Sequence, residues 1–169
     1  MKTLAEADAL AARAHAGQVD KIGVPYVAHV RAVAAGLEAL GRPHLAMAGL
    51  LHDVIEDTDW TAEGLRAAGV PDEVVALVEA VTHRPDTAYE EGLRRIAEDP
   101  GATLVKIADN AHNSRTDRAA ALPPAQRERL AAKYRAAREI LWPAADPDDI
   151  RAILRVVNPD LLAEAAKTT

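Results

Sequence analysis

Glycine and proline interrupt this chain at Gly17, Gly23-Val24-Pro25, Gly41-Arg42-Pro43, Gly69-Val70-Pro71, Asp99-Pro100-Gly101, Pro123-Pro124 and Pro143. Between the interruptions apolar residues recur at helical spacing, as Leu104, Ile107, Ala108 and Ala111 do, so each segment reads as one amphipathic helix. No apolar-polar alternation lasts long enough to specify a strand. Helices with one apolar stripe each must bury those stripes against one another, which predicts an all-α bundle of about eight to ten helices. The expected helices cover Leu4 to Ala16, the stretch after Pro25 through Leu40, Pro43 through Asp57, a short piece near Thr61, and Pro71 through His83. Further ones follow from Asp86 to the Asp99 break, from Thr103 to Thr116, from Gln126 to Leu141, and as a C-terminal pair through Ala166.

A chain of 169 residues has room for one well-filled core, so residues 1–169 are expected to form a single domain. Hydrophobic residues make up 49% but aromatics only 3%, with no Phe; the core must therefore be built from Ala, Val and Leu. The absence of Cys removes disulfides and thiolate ligands and leaves imidazole and carboxylate for any metal. A formal charge of -6 opposes broad binding to nucleic acid, which needs a basic face to displace counterions. Glu6, Asp8 and Arg13 break up the N-terminal apolar residues, so neither a secretory core nor a membrane span of about 20 residues is expected. Cytoplasmic residence follows as the expectation.

The segment Leu50-Leu51-His52-Asp53-Val54-Ile55-Glu56-Asp57 places four polar, metal-capable or proton-transferring side chains directly after an apolar run. On a continuous helix His52 and Glu56 share one face and Asp53 and Asp57 another, so two possible ligands precede two carboxylates by one turn, roughly 6 Å. A metal-assisted hydrolase needs that layout: an ion to acidify water and neighbouring groups to orient it and move its proton. His29 on the second helix and Asp109 on a later one complete a candidate ligand set of His29, His52, Asp53 and Asp109. Two imidazoles and two carboxylates suit Mn²⁺, Fe²⁺ or Zn²⁺ with positions left for water and a phosphate oxygen. Asn113, one turn after Asp109, faces the same space.

The ordered set Ala14-His15-Ala16-Gly17-Gln18, Gly23-Val24-Pro25-Tyr26 with His29, His52-Asp53 with Glu56-Asp57-Thr58, and Val105-Lys106-Ile107-Ala108-Asp109 with Asn113-Ser114-Arg115-Thr116 resembles the HD-domain alarmone hydrolases. These are the RelA/SpoT-type domains and their stand-alone small forms, and the likeness covers roughly residues 5 to 142. It implies an HD-domain helical fold around Mn²⁺ and removal of the 3′-pyrophosphate of (p)ppGpp. It also implies His29, His52, Asp53 and Asp109 as metal ligands, and Glu56 and Asp57 as the groups that activate and position water. Lys21, Asn113, Thr116 and Tyr134 match positions that contact the nucleotide or its phosphates. Where the family usually carries an Arg that stacks on guanine, this chain has Asp20, which offers neither a cation nor a planar stacking face.

Two other functions compete: an HD phosphohydrolase acting on a different nucleotide, and a binding module that senses nucleotide without turnover. Outside the main constellation, His15 reads as structural within the Gly17 loop, and His112 as a supporting or packing residue beside the ligands. His83-Arg84 with Tyr89 reads as a solvated helix end, with approach to a phosphate as the alternative. The run from Arg127 to Arg138 reads as a solvated helix face, with some residues turned to phosphate as its alternative.

Overall fold

Thr3 starts the first helix with a reciprocal cap, its hydroxyl accepting from the Glu6 amide at 3.2 Å while the Glu6 carboxylate accepts from the Thr3 amide at 3.0 Å, which satisfies two otherwise orphaned donors. From there the computed structural model, which describes residues 3–167, is helical throughout apart from loops and an isolated bridge between Val19 and Pro25. The helices are α1 (Leu4–Ala14), α2 (Val27–Glu38), α3 (Pro43–Leu51), α4 (Val54–Asp57), α5 (Ala62–Ala67), α6 (Asp72–Val81), α7 (Tyr89–Ile96) and α8 (Pro100–Asn113). The remainder are α9 (Thr116–Ala120), α10 (Pro124–Leu141), α11 (Pro147–Val157) and α12 (Leu162–Ala165), with 3₁₀ turns at Trp142–Ala144 and Pro159–Leu161. The all-α expectation holds. No helix among the described residues is long and apolar enough to cross a membrane.

Every residue of α3 from Leu45 to Leu51 is buried, as a helix packed on all sides must be. Its neighbours are α1, α2, α6 and α8. Gly49 allows the tightest of these approaches: a Cβ there would stand 2.7 Å from Leu37 Cδ1 and 3.1 Å from Ala34 Cα on α2. Gly49→Ala is therefore expected to cost about 1–3 kcal/mol through overpacking. That corresponds to a fall in Tm of about 3–10 °C for a chain of this size, read by thermal unfolding followed by circular dichroism.

The continuous helix expected from Pro43 to Asp57 is instead divided. His52 and Asp53 form a turn between α3 and α4, Asp53 keeping φ -100° and ψ -1°, and the Asp57 amide still reaches the Asp53 carbonyl at 2.8 Å.

Candidate metal centre and its cavity

Three buried helices deliver the expected ligands to one point. His29 comes from the first turns of α2, His52 and Asp53 from the junction after α3, and Asp109 from α8. Ligand atoms of His29, His52 and Asp53 all lie within 4.8 Å of one another. His29 Nε2 is 3.6 Å from Asp53 Oδ2 and 3.3 Å from Asp109 Oδ1. His52 Nε2 is 3.0 Å and 3.8 Å from the same two oxygens.

Side-chain hydrogen bonds set which atoms point inward. His52 Nδ1 meets the Gly49 carbonyl at 2.8 Å; a carbonyl only accepts, so Nδ1 carries the proton and the Nε2 lone pair faces the cradle. That buried Nε2 has no hydrogen-bond partner, an orphan that a cation among the four groups would satisfy. His29 Nδ1 lies 2.7 Å from His112 Nδ1, so a ligating His29 donates there and His112 accepts. Burial, then the neighbouring His29, lowers the His112 pKa to about 3, which keeps it neutral and able to accept. His112→Leu is thus expected to weaken divalent-ion affinity by about 10–100-fold, measured by calorimetric titration.

The carboxylates are oriented in the same way. Tyr26 donates to Asp53 Oδ2 at 2.6 Å, Asn113 Nδ2 donates to Asp109 Oδ1, and Lys106 pairs with Asp109 Oδ2 at 2.8 Å. Burial works against charge on Asp53, but the charge of nearby His52 and the close approach of His29 outweigh it and hold the carboxyl well below the usual range. Asp109 is held low too, by Lys106 and the histidines against its burial. Burial likewise opposes charge on His52, yet Asp53 and Asp109 push it up to about 10. The cradle therefore demands positive charge at its centre, and its hard, thiolate-free donor set fits a divalent ion.

Above the cradle opens a cavity of about 530 Å³, whose walls include Lys21, Glu56, Asp57, Asn113 and Tyr134. Glu56 is fixed by the His83 amide, which donates to its Oε2 at 2.8 Å. Gln18 donates to the Asp57 carbonyl at 2.8 Å and is itself held by His15 at 2.7 Å, so the N-terminal loop steadies the acidic pair. The cavity is also lined by the cations Lys106, Lys133, Arg84 and Arg95. Burial, then Lys21 and Lys106, lowers the Lys133 amine, and its Nζ sits 4.2 Å over the Tyr89 ring. Such crowding of cations beside an acidic cradle suits a phosphate-bearing anion spanning the two.

Of the residues expected to meet substrate, Lys21, Asn113 and Tyr134 border this cavity. Thr116 does not. Helix α8 ends at Asn113, the chain turns through Ser114, and the Thr116 hydroxyl bonds Asp160 at 3.1 Å beside a separate depression; the turn carries it away from the ligands. His83 and Arg84, exposed just beyond the end of α6 as expected, also border the cavity together with Tyr89. Tyr26 and Lys106 were not singled out as site residues from sequence. Lys106 was signalled by its place one turn before Asp109; Tyr26 carried no spacing signal, since its partner is 27 residues away.

Comparison with known proteins adds two kinds of likeness. Residues 7–140 match the HD domain family model. The chain is 37% identical over 155 residues to a GTP pyrophosphokinase of Streptomyces coelicolor, covering 86% of this chain but 18% of that protein. It is 38% identical over 144 residues to a probable guanosine-3′,5′-bis(diphosphate) 3′-pyrophosphohydrolase of Synechocystis, covering 78% and 18% respectively. The chain thus spans less than a fifth of the length of these relatives. A solved structure of a metazoan SpoT orthologue that hydrolyses ppGpp superposes with a TM-score of 0.66 at 26% identity, over 92% of this chain and 95% of that one.

Proposed function

Because this chain belongs to the HD-domain family, we propose that it is a metal-dependent hydrolase that removes the 3′-pyrophosphate of ppGpp or pppGpp, giving GDP or GTP and pyrophosphate. The observation that carries the proposal is the cluster of His29, His52 and Asp53, with Asp109 Oδ1 3.3 Å from His29 and 3.8 Å from His52, bordering a cavity lined by both an acidic pair and several cations. The likeness over nearly the full length of a ppGpp-hydrolysing SpoT orthologue supports the substrate. The proposed ion is Mn²⁺, held by those four residues; Fe²⁺ and Zn²⁺ share the same donor preferences. When bound, it supplies Lewis acidity, acidifying water and drawing charge from a phosphoryl oxygen.

The protein's own groups do the rest. Water is the nucleophile. Glu56, held by the His83 amide, takes its proton as oxygen attacks phosphorus, and Asp57 fixes the direction of attack. The bond from phosphorus to the ribose 3′-oxygen breaks, and the proton taken up by Glu56 is returned to that oxygen as GDP or GTP leaves, with pyrophosphate as the other product. Lys21, Tyr134 and the lining cations hold the diphosphate, while Asn113 acts first on Asp109, to which its amide nitrogen is committed.

The test is a panel of ppGpp, ppApp, deoxynucleoside triphosphates and nucleoside monophosphates with Mn²⁺, read by product identity. Release of pyrophosphate from ppGpp at the highest kcat/KM is the expected result. A preference for another phosphate ester would reassign the substrate within the family, and binding without turnover of any would leave a sensing module.

A further inference from the structure

Asp20, the position at which the alarmone-hydrolase pattern offers a cation, is not an open carboxylate. One of its oxygens accepts from the Ile22 and Val24 amides, both at 3.0 Å. The other accepts from Arg118 Nη1 at 2.7 Å across 98 residues of sequence, and the Asp20 side chain is only 4% exposed. Position 20 has become an anchor for an arginine brought from α9.

The anchored guanidinium borders two adjoining spaces. One is the cavity over the metal cradle; the other is a neighbouring hollow of about 130 Å³ that shares Lys21, Asn113 and Tyr134 with it. Arg127 and Arg135 also line the hollow, and no carboxylate does. Its Arg138 is paired with Glu164 at 2.9 and 3.0 Å, as Arg118 is with Asp20, so among the described residues the surplus positive charge of the hollow is that of Lys21, Arg127 and Arg135, with the anchored Arg118 beside them. A neutral base needs no such surplus of cations. A diphosphate does, and a planar guanidinium fork matches its oxygens.

We propose that Arg118, positioned by Asp20, binds the 5′-phosphate end of the nucleotide while the 3′-diphosphate lies over the cradle. This inference rests on the hydrolase reading for its substrate. Arg118 is the substrate contact and Asp20 its positioning residue, so the cation missing at position 20 re-enters the site from a different helix.

Binding of the product, which keeps the 5′-diphosphate, tests this without turnover. Titrated into the full chain, GDP is expected to bind Arg118→Ala about 10–100-fold more weakly than wild type, the range for losing a charge-assisted contact. Guanosine affinity should change less than about 3-fold. In steady state the same variant should raise KM for ppGpp with little change in kcat, and leave KM for guanosine 3′-diphosphate, which lacks 5′-phosphates, as in wild type. Asp20→Asn, which keeps an oxygen for the Ile22 and Val24 amides, should show the same pattern more weakly. Equal losses for guanosine and GDP would assign Arg118 to the base, and unchanged GDP binding would remove it from the site; either overturns the proposal. Absence of ppGpp hydrolysis by wild type would instead sink the hydrolase reading, a result separate from the GDP titration.

Discussion

Asp53→Ala should abolish ppGpp hydrolysis, with turnover falling by on the order of 10³-fold or more and divalent-ion binding lost in parallel, because ion-derived charge stabilisation amounts to several kcal/mol. Asp53 Oδ2 is the hub of the cradle: His52 Nε2, His29 Nε2 and the Tyr26 hydroxyl lie 3.0, 3.6 and 2.6 Å from it. Removing it leaves Asp109 as the one carboxylate facing two imidazoles, so the cradle loses half its negative charge. The core contributed by Leu45, Leu51 and Ile107 is untouched, and the helical circular-dichroism signal should persist. Asp53→Asn separates charge from shape, since its amide oxygen can still accept from Tyr26. Calorimetric titration with Mn²⁺ reads the outcome, and a variant that binds the ion as tightly as wild type would remove Asp53 from the ligand set.

Glu56→Gln is expected to lower kcat by about 10²–10⁴-fold, the range for losing a general base, while KM and ion affinity stay within about 3-fold of wild type. The split follows from geometry. Glu56 accepts from the His83 amide at 2.8 Å, a bond that a Gln oxygen preserves, so the loop after α6 keeps its place over the cavity. Only the capacity to take a proton is lost. Retention of near-wild-type kcat would pass the base role to Asp57, and a matched Asp57→Asn variant would then carry the large loss.

The helical architecture was legible because the breakers are local. Pro43 and Pro124 fall in the first turn of the helices they are expected to open, whereas Pro100, read as part of a break before a helix from Thr103, itself starts α8, with Asp99 as its cap through the Ala102 amide at 2.9 Å. The four proposed ligands were legible as candidates because imidazole and carboxylate placed after apolar runs have few packing reasons to be there. The substrate wall was less so. Thr116 follows a helix end whose turn no residue pattern specifies, and Lys133 reaches the cavity from α10, which packs on α7, while Arg84 reaches it from the loop between α6 and α7.

Sequence alone determined the helical class, the aliphatic core and the identity of the His and Asp side chains that meet between the helices, since periodicity, breakers and side-chain chemistry act within a turn or two of chain. Tertiary structure decided what supports those groups: the His112 partner of His29, the Tyr26 hydroxyl on Asp53 and the Arg118 bond to Asp20. These contacts join residues 83, 27 and 98 positions apart. Their formation depends on how whole helices settle against one another, and hydrophobic burial, which drives that settling, is non-directional and leaves no local mark in the sequence.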